Sequence, residues 1–356
     1  MNITTLKTIS QNFTRELIDA QKGNKTSLPF IVHQLANHPI VKDGETFQVL
    51  KIGGSILQKS LVELRDGNVV TKTFSEEHLP IFTTKDIFLS VIDKHLDPRS
   101  QVVAINFAFP MNPIFENGKL DGILARGTKE HAFVGLLNQK IGKTIELYIK
   151  SKYDRTIRVS AANDTICLAL AGLTKYPAER LSGGIVGTGM NFAVFLDKTH
   201  LVNLEAANFN KFPQSEEGKQ IDAQSIEKGL SLYEKEVSGG YLYHHLNILF
   251  SKNHIKHPAV ESTHALDTLA RGNIEKVSKL AQDLLEHSAS LIACQIAGIA
   301  NFKKRDMVFV MEGSLFWIGR RYQTMVEQYV GQLTEHKVLF VEIKDCGILG
   351  AAKLVT

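Results

Sequence analysis

Apolar positions along this chain change period several times, and each change marks an element. Leu6, Ile9, Phe13, Leu17 and Ala20 recur at helical spacing, so residues 5–21 form one amphipathic helix, closed by Gly23. Thr26-Ser27-Leu28-Pro29-Phe30-Ile31-Val32 is an extended arm, because Pro29 does not fit a helix interior. Phe47-Gln48-Val49-Leu50-Lys51-Ile52 reads as a strand, Gly53-Gly54-Ser55 as a tight turn, and Lys59-Ser60-Leu61-Val62-Glu63-Leu64 as the returning strand. Asp66-Gly67 turns the chain again before Val69-Val70-Thr71-Lys72-Thr73-Phe74.

A helix over 84–95 precedes a buried strand, Val102-Val103-Ala104-Ile105-Asn106-Phe107-Ala108-Phe109, which Pro110 stops. Residues 112–126 are turn-rich, punctuated by Asn117-Gly118 and Asp121-Gly122, and 131–137 are compatible with a helix. Arg158-Val159-Ser160-Ala161-Ala162 is a strand, Asn163-Asp164-Thr165 marks a corner, and a small-residue helix leaves. Asp164 then sits just past a strand's C-terminal end, where open α/β sheets bind ligands. The same triplet is also an ordinary helix cap.

Strands over 183–186 and 192–196 flank Gly187-Thr188-Gly189-Met190-Asn191, where backbone N–H groups can meet an anion; alone, this is also a plain hairpin turn. Residues 219–252 and 263–302 are largely helical. Leu285, Ala289, Ile292 and Ile296 run down one face of the second stretch, and Ala293, Ala297 and Ala300 allow close packing. Met307-Val308-Phe309-Val310 is a strand ended by Glu312-Gly313-Ser314. The last strand spans 338–343, and Gly350-Ala351-Ala352 begins a closing helix. Strands in both halves, separated by turns and helices, point to two α/β lobes.

Composition adds exclusions. A chain of 356 residues is long enough for two domains, and 44% hydrophobic with 22% charged residues is globular. The net charge of +4 and the absence of a Lys/Arg block argue against a nucleic-acid partner. Cys167, Cys294 and Cys346 form no CxxC pair, so neither a disulfide framework nor a zinc site is expected. Without a basic leader or an apolar run of about 18 residues, the chain is expected to be cytoplasmic and without a membrane partner.

Taken in order, several pieces resemble the hexokinase family. They are Leu28-Pro29-Phe30-Ile31-Val32, Asp121-Gly122-Ile123-Leu124 leading to Thr128-Lys129, Asn163-Asp164-Thr165, and Gly187-Thr188-Gly189-Met190-Asn191. Asn203-Leu204-Glu205, Tyr233-Glu234-Lys235-Glu236-Val237-Ser238-Gly239-Gly240-Tyr241-Leu242 and Glu312-Gly313-Ser314 continue the series. The resemblance implies an α/β, two-lobed actin-like ATPase (ribonuclease H-like) fold, with a mixed sheet and flanking helices in each lobe. Residues 45–163, joined by a C-terminal helix over 347–356, would form the small lobe, and 1–44 with 164–346 the large one.

It further implies phosphorylation of the 6-hydroxyl of glucose or a similar aldohexose, with ATP and Mg2+, by a monomer or homodimer. Asp164 would be the general base, within ~3 Å of the sugar hydroxyl. Lys129 would neutralise charge on the transferred phosphoryl group, and Thr128 would reach the sugar. Asn163, Asn191, Glu205 and Glu234 match sugar ligands, whose amide and acidic groups suit a ring of hydroxyls. Gly53, Gly54 and Ser55 match the first phosphate loop, Gly187, Thr188 and Gly189 the second, and Gly313 and Ser314 the adenosine side. No protein metal ligand is assigned.

The first phosphate loop departs from the family. Where relatives read Asp-Leu-Gly-Gly-Thr-Asn-Phe-Arg, this chain reads Lys51-Ile52-Gly53-Gly54-Ser55-Ile56-Leu57-Gln58. The acidic residue that helps hold hydrated magnesium is Lys51 here. Ala108, Ala206 and Glu312 are lesser departures. Lys51 and the altered first phosphate loop leave a second reading beside the kinase, that of a catalytically weak or inactive hexokinase-like sugar-binding sensor.

Overall fold

Helix α1 (Ile3–Gln21) begins at Asn2, whose side chain accepts the Thr5 amide at 2.9 Å and caps the first turn. The computed structural model describes residues 1–127 and 130–356; Thr128 and Lys129 lie outside the described residues. In chain order there follow β1 (Ile31–Gln34), β2 (Thr46–Ile52), β3 (Ile56–Arg65), β4 (Asn68–His78), α2 (Lys85–His95) and β5 (Val102–Phe107). Next come β6 (Met111–Glu116), β7 (Lys119–Leu124), α3 (Ile141–Tyr153), β8 (Arg158–Ala162), α4 (Asp164–Ala171), β9 (Leu181–Val186), β10 (Met190–Phe195) and β11 (His200–Asn203). The helical stretch holds α5 (Glu216–Gln224), α6 (Leu232–Val237), α7 (Leu242–Lys252), α8 (Thr263–Ala270) and α9 (Glu275–Lys303). Last are β12 (Met307–Glu312), α10 (Ser314–Ile318), α11 (Tyr322–Leu333), β13 (Val338–Val341) and α12 (Cys346–Ala352).

The fold is α/β with two mixed sheets. A five-stranded sheet has the order β4-β3-β2-β5-β8, and a six-stranded sheet the order β1-β11-β10-β9-β12-β13. In the first, β2–β3 and β3–β4 are antiparallel, and β5 pairs in parallel with β2 and with β8.

Two expectations are corrected. The turn-rich stretch 112–126 holds the hairpin β6–β7. Only Asn117-Gly118 forms its turn, with φ of 52° and 72°, while Asp121-Gly122 lies inside β7. Residues 131–137 are not helical. Phe133 and Val134 instead give their amides to Phe82 and Thr83, and the Phe133 ring is buried among Phe82, Phe88 and Phe109. Burial of that aromatic outweighs local helical preference.

The backbone divides into two compact units. The first is Met1–Phe30, Gly184–Phe192 and Leu204–Glu342; the second is Ile31–Gly183, Ala193–Asn203 and Ile343–Thr356. The segments 45–163 and 347–356 fall inside the second unit, and those expected as the large lobe are shared between both. In the first unit α1 and α11 pack on α9, whose Leu285, Ala289, Ile292, Ala293, Ile296, Ala297 and Ala300 are all buried. In the second, the five-stranded sheet, α2 and α3 enclose a core that includes Leu50, Ile105, Phe107, Val159 and Ile145. Helix α12 packs there against α4, β2 and β5.

Candidate functional site

In the second unit, β8 delivers the chain to the corner at Asn163. Asn163 is the cap of α4, its Oδ1 accepting the Ile166 amide at 3.0 Å. Asp164 is therefore relieved of capping. It is half-buried at the first helical position, where its Oδ1 accepts the Thr165 N–H at 2.8 Å. Burial pushes the thiol of Cys167, one turn on, far above its ordinary pKa; the Asp164 charge adds to this and that of Lys51 opposes it. Both charges therefore lie near one buried sulfur.

Gly53-Gly54-Ser55 is the turn between β2 and β3, closed by Gly53 N–H to Ile56 O at 2.9 Å. Its next two carbonyls are held: Gly54 O lies 2.7 Å from His131 Nε2, and Ser55 O accepts the Leu79 amide at 2.8 Å. Among the described residues, no protein acceptor takes the N–H of Gly54 or Ser55. Lys51 precedes this turn on β2, in register with Asn106 on β5, and its stem lies against Gly347 at the start of α12. Asn106 gives its Nδ2 to Gly347 O at 3.3 Å, and its buried Oδ1 has no partner among the described residues.

In the first unit, the turn Gly187-Thr188-Gly189 is fastened through its carbonyls. Gly239 N–H reaches Gly187 O at 2.7 Å and Gly240 N–H reaches Thr188 O at 2.8 Å. Gly313 faces this turn with φ of 122°, and a side chain there would strike the Val186 carbonyl, so only glycine fits. Gly187, Thr188, Gly239, Gly240, Thr263 and Ser314 line a cavity of about 400 Å³, with Tyr243 and Asp267 further along its wall.

Three acid and amide residues gather beside the same turn. Glu234 Oε2 accepts the Met190 N–H at 3.0 Å and lies 2.8 Å from where a side chain on Gly189 would begin. Burial raises its pKa, against the Met190 hydrogen bond, and the Glu205 charge raises it further. Asn191 Oδ1 accepts the N–H groups of Phe192 at 2.8 Å and of Ala206 at 3.1 Å. The Ala206 bond sets the Asn191 carbonyl oxygen against the residue following Glu205, and Glu205 takes a left-handed φ of 50°. Asn191, Glu205 and Glu234 are thus brought together in one unit.

Residues 251–356 match the family model described as Hexokinase. Hexokinase-2 of Candida albicans is 25% identical over 271 residues, covering 67% of this chain and 56% of that protein. Hexokinase-1 of Schizosaccharomyces pombe is 22% identical over 421 residues, covering 98% of this chain and 86% of that protein. The solved structure of a hexokinase from Schistosoma mansoni, complexed with glucose, superposes with a TM-score of 0.81 at 17% identity, covering 100% of this chain and 95% of that one. This chain is similar to the hexokinases, in sequence and in fold.

The chain spans 56% of the length of the Candida relative. Its fold is that of the solved hexokinase, with two mixed sheets. Sequence reasoning left several residues of the cavity wall unassigned. Gly239 and Gly240 stand in a motif already noted, and Thr263 follows Ser262, which caps α8 by accepting the Ala265 amide at 3.1 Å. A capping serine before a helical run was the available signal. Nothing in the local sequence singles out Asp267 or His131. Among the described residues, no helix is long and apolar enough to cross a membrane.

Proposed function

We propose that this chain is a sugar kinase, transferring the terminal phosphoryl group of ATP to the 6-hydroxyl of glucose or a similar aldohexose. The observation that carries this reading is the seat of Glu234. An acidic side chain suited to a hydroxyl rests directly on Gly189 of a glycine turn suited to phosphate, so acceptor and donor chemistry adjoin within one unit. Asp164 is the proposed base: its carboxylate takes the hydroxyl proton as the new phosphorus–oxygen bond forms. Asn163, Asn191, Glu205 and Glu234 bind the sugar, and Thr128 and Lys129 act on the sugar and the transferred phosphoryl group. The Gly53-Gly54-Ser55 and Gly187-Thr188-Gly189 turns bind phosphates, through the amides that Gly53 and Gly187, bonded to Ile56 O and Gly189 O, leave to the rest of each turn, and Gly313-Ser314 bounds the adenosine cavity.

The residues present fit ATP: a cavity of about 400 Å³, a glycine-lined approach and amides without protein acceptors among the described residues all suit it. When bound, magnesium would neutralise charge on the phosphate oxygens, taking most of its ligands from them and from water. Among the described residues, no group of three or more His, Cys, Asp or Glu side chains could hold a metal ion. We place the reaction in the cytoplasm, within carbohydrate metabolism of the glycolytic kind.

Lys51 favours a second reading, a sugar-binding sensor of little or no turnover, because an ammonium replaces the acidic residue beside the first phosphate loop. A coupled ADP-release assay over a panel of hexoses, with ATP and magnesium, separates the two. The kinase predicts turnover that Asp164→Ala abolishes and Lys51→Ala leaves in place. Sugar-raised melting with no turnover at any magnesium concentration would sink the kinase and support the sensor.

A further inference from the structure

His131 has no part in the roles above, yet its side chain is only 3% exposed and touches the first phosphate loop. Its ring makes two hydrogen bonds in opposite directions. Phe82 N–H can only donate, and it reaches Nδ1 at 2.9 Å, so Nδ1 carries no proton. The ring proton therefore sits on Nε2, which donates to Gly54 O at 2.7 Å. Phe82, Phe109 and Phe133 surround the ring with centroids 5.2, 5.0 and 5.7 Å away and hold its plane.

We infer that His131 is a positioning residue for phosphate binding, which fixes the Gly54 peptide so that the Ser55 N–H faces the nucleotide. The inference rests on the sugar-kinase reading of this turn. A trans peptide is planar, so its C=O and the following N–H point in opposite directions. Holding the Gly54 carbonyl back towards His131 aims the Ser55 N–H away from it. The Ser55 carbonyl is held independently by Leu79, so the turn is pinned on both sides of that amide. Without the His131 bond the peptide is able to flip, and a flip puts a carbonyl oxygen where the phosphate needs a donor.

The same residue borders the segment that carries Thr128 and Lys129. Gly127 packs on the His131 carbonyl, where any side chain would collide, so the two flanks of that pair meet at His131. One residue thus meets the phosphate turn through its ring and the flank of the proposed phosphoryl-facing lysine through its backbone.

The test uses the full chain. His131→Phe keeps an aromatic ring among the three phenylalanines and removes both hydrogen bonds; His131→Gln returns a donor near the Nε2 position. His131→Phe is expected to raise KM for ATP about tenfold, the scale of one hydrogen bond to a charged group, with KM for the hexose little changed and His131→Gln recovering most of the loss. Unchanged KM for ATP in a variant that melts like its parent overturns the inference, as does an equal loss for ATP and hexose. If the parent phosphorylates no hexose, the kinase reading fails, and calorimetric ATP binding carries the test with the same expected loss. A parent that binds no ATP overturns both. Should His131→Phe fold poorly, nitrogen-15 spectra of the parent's histidines decide, since a proton on His131 Nδ1 contradicts the proposal.

Discussion

The carboxylate of Glu234 accepts the Met190 N–H at 3.0 Å while lying against Gly189. Burial holds its pKa above the ordinary glutamate value, overriding that hydrogen bond, and the Glu205 charge acts in the same direction. A raised carboxyl pKa means that the folded state keeps a proton the unfolded chain has already released. Stability is therefore lost as pH rises from the ordinary value through the raised one. Glu234→Gln is expected to melt above its parent at about pH 7 and level with it at about pH 4, while hexose binding weakens. Calorimetric melting across that range checks the first part and sugar titration the second. Equal melting at neutral pH would count against this account of Glu234.

Asp164→Asn should separate chemistry from structure. Asn163 caps α4 by itself, so the variant is expected to keep the helix cap while kcat falls by about 10²–10⁴, the range of a lost general base. Asn163→Ala should show the converse on stability, costing ~1 kcal/mol in a denaturant titration through loss of the cap. Full stability in Asn163→Ala would put the cap in the wrong place.

The wall of the proposed nucleotide cavity depends on a clamp. Asp267 Oδ1 accepts Arg320 N–H at 2.6 Å and its Oδ2 accepts Arg271 Nε at 2.7 Å, while Arg271 Nη2 reaches Ile318 O at 3.0 Å. The pair fastens α8 to the chain just past α10, which lines the cavity. Arg271→Ala is expected to raise KM for ATP several-fold with kcat and KM for sugar nearly unchanged. Steady-state kinetics with each substrate varied in turn reads this, and an effect confined to the sugar would contradict it.

Beneath β8 lies a largely buried ion pair. Lys119 Nζ is 2.6 Å from Glu146 Oε1 and donates to Val159 O at 2.6 Å, with the two side chains 10% and 14% exposed. Glu146 also accepts the Val159 N–H at 2.9 Å. Lys119→Ala leaves that carboxylate to the Val159 N–H and to the more exposed Lys143 Nζ, 3.8 Å away, and should cost up to about 3 kcal/mol in urea unfolding, whereas replacing both residues with apolar ones should cost much less. Similar losses for the single and the double variant would show that packing, not charge, sets the cost.

The strand, polar corner and helix around Asp164 were legible because a β-branched run, a cap and small apolar residues each report on local structure. The turn at Gly187-Thr188-Gly189 and the buried face of α9 were legible for the same reason. The loop at 131–137 was not, because what decides it is the fit of Phe133 against rings from other elements. Strand β11 and helices α10 and α11 also went unread: β11 is four residues long and α10 five, too short to display a period. Asn163 and Asp164 could be named from sequence, but their division of labour could not, since either side chain can cap. His131 is bonded to backbone groups far along the chain, which no local pattern encodes, and of Asp267's two partners only Arg271, four residues on, lies within a local pattern.

Helix α12 supplies a last consequence. It packs on α4, β2 and β5, and Val355 O accepts the amides of Ile40 and Val41, so the second unit is finished by a segment separated from the rest of it by nearly the whole helical unit. During synthesis that unit emerges early but lacks one wall until the intervening chain has been made. Its last contacts are of long range, which slows closure and keeps the underside of β2 exposed in the meantime. The half of the molecule that carries Asp164 therefore waits on the other half before it can fold.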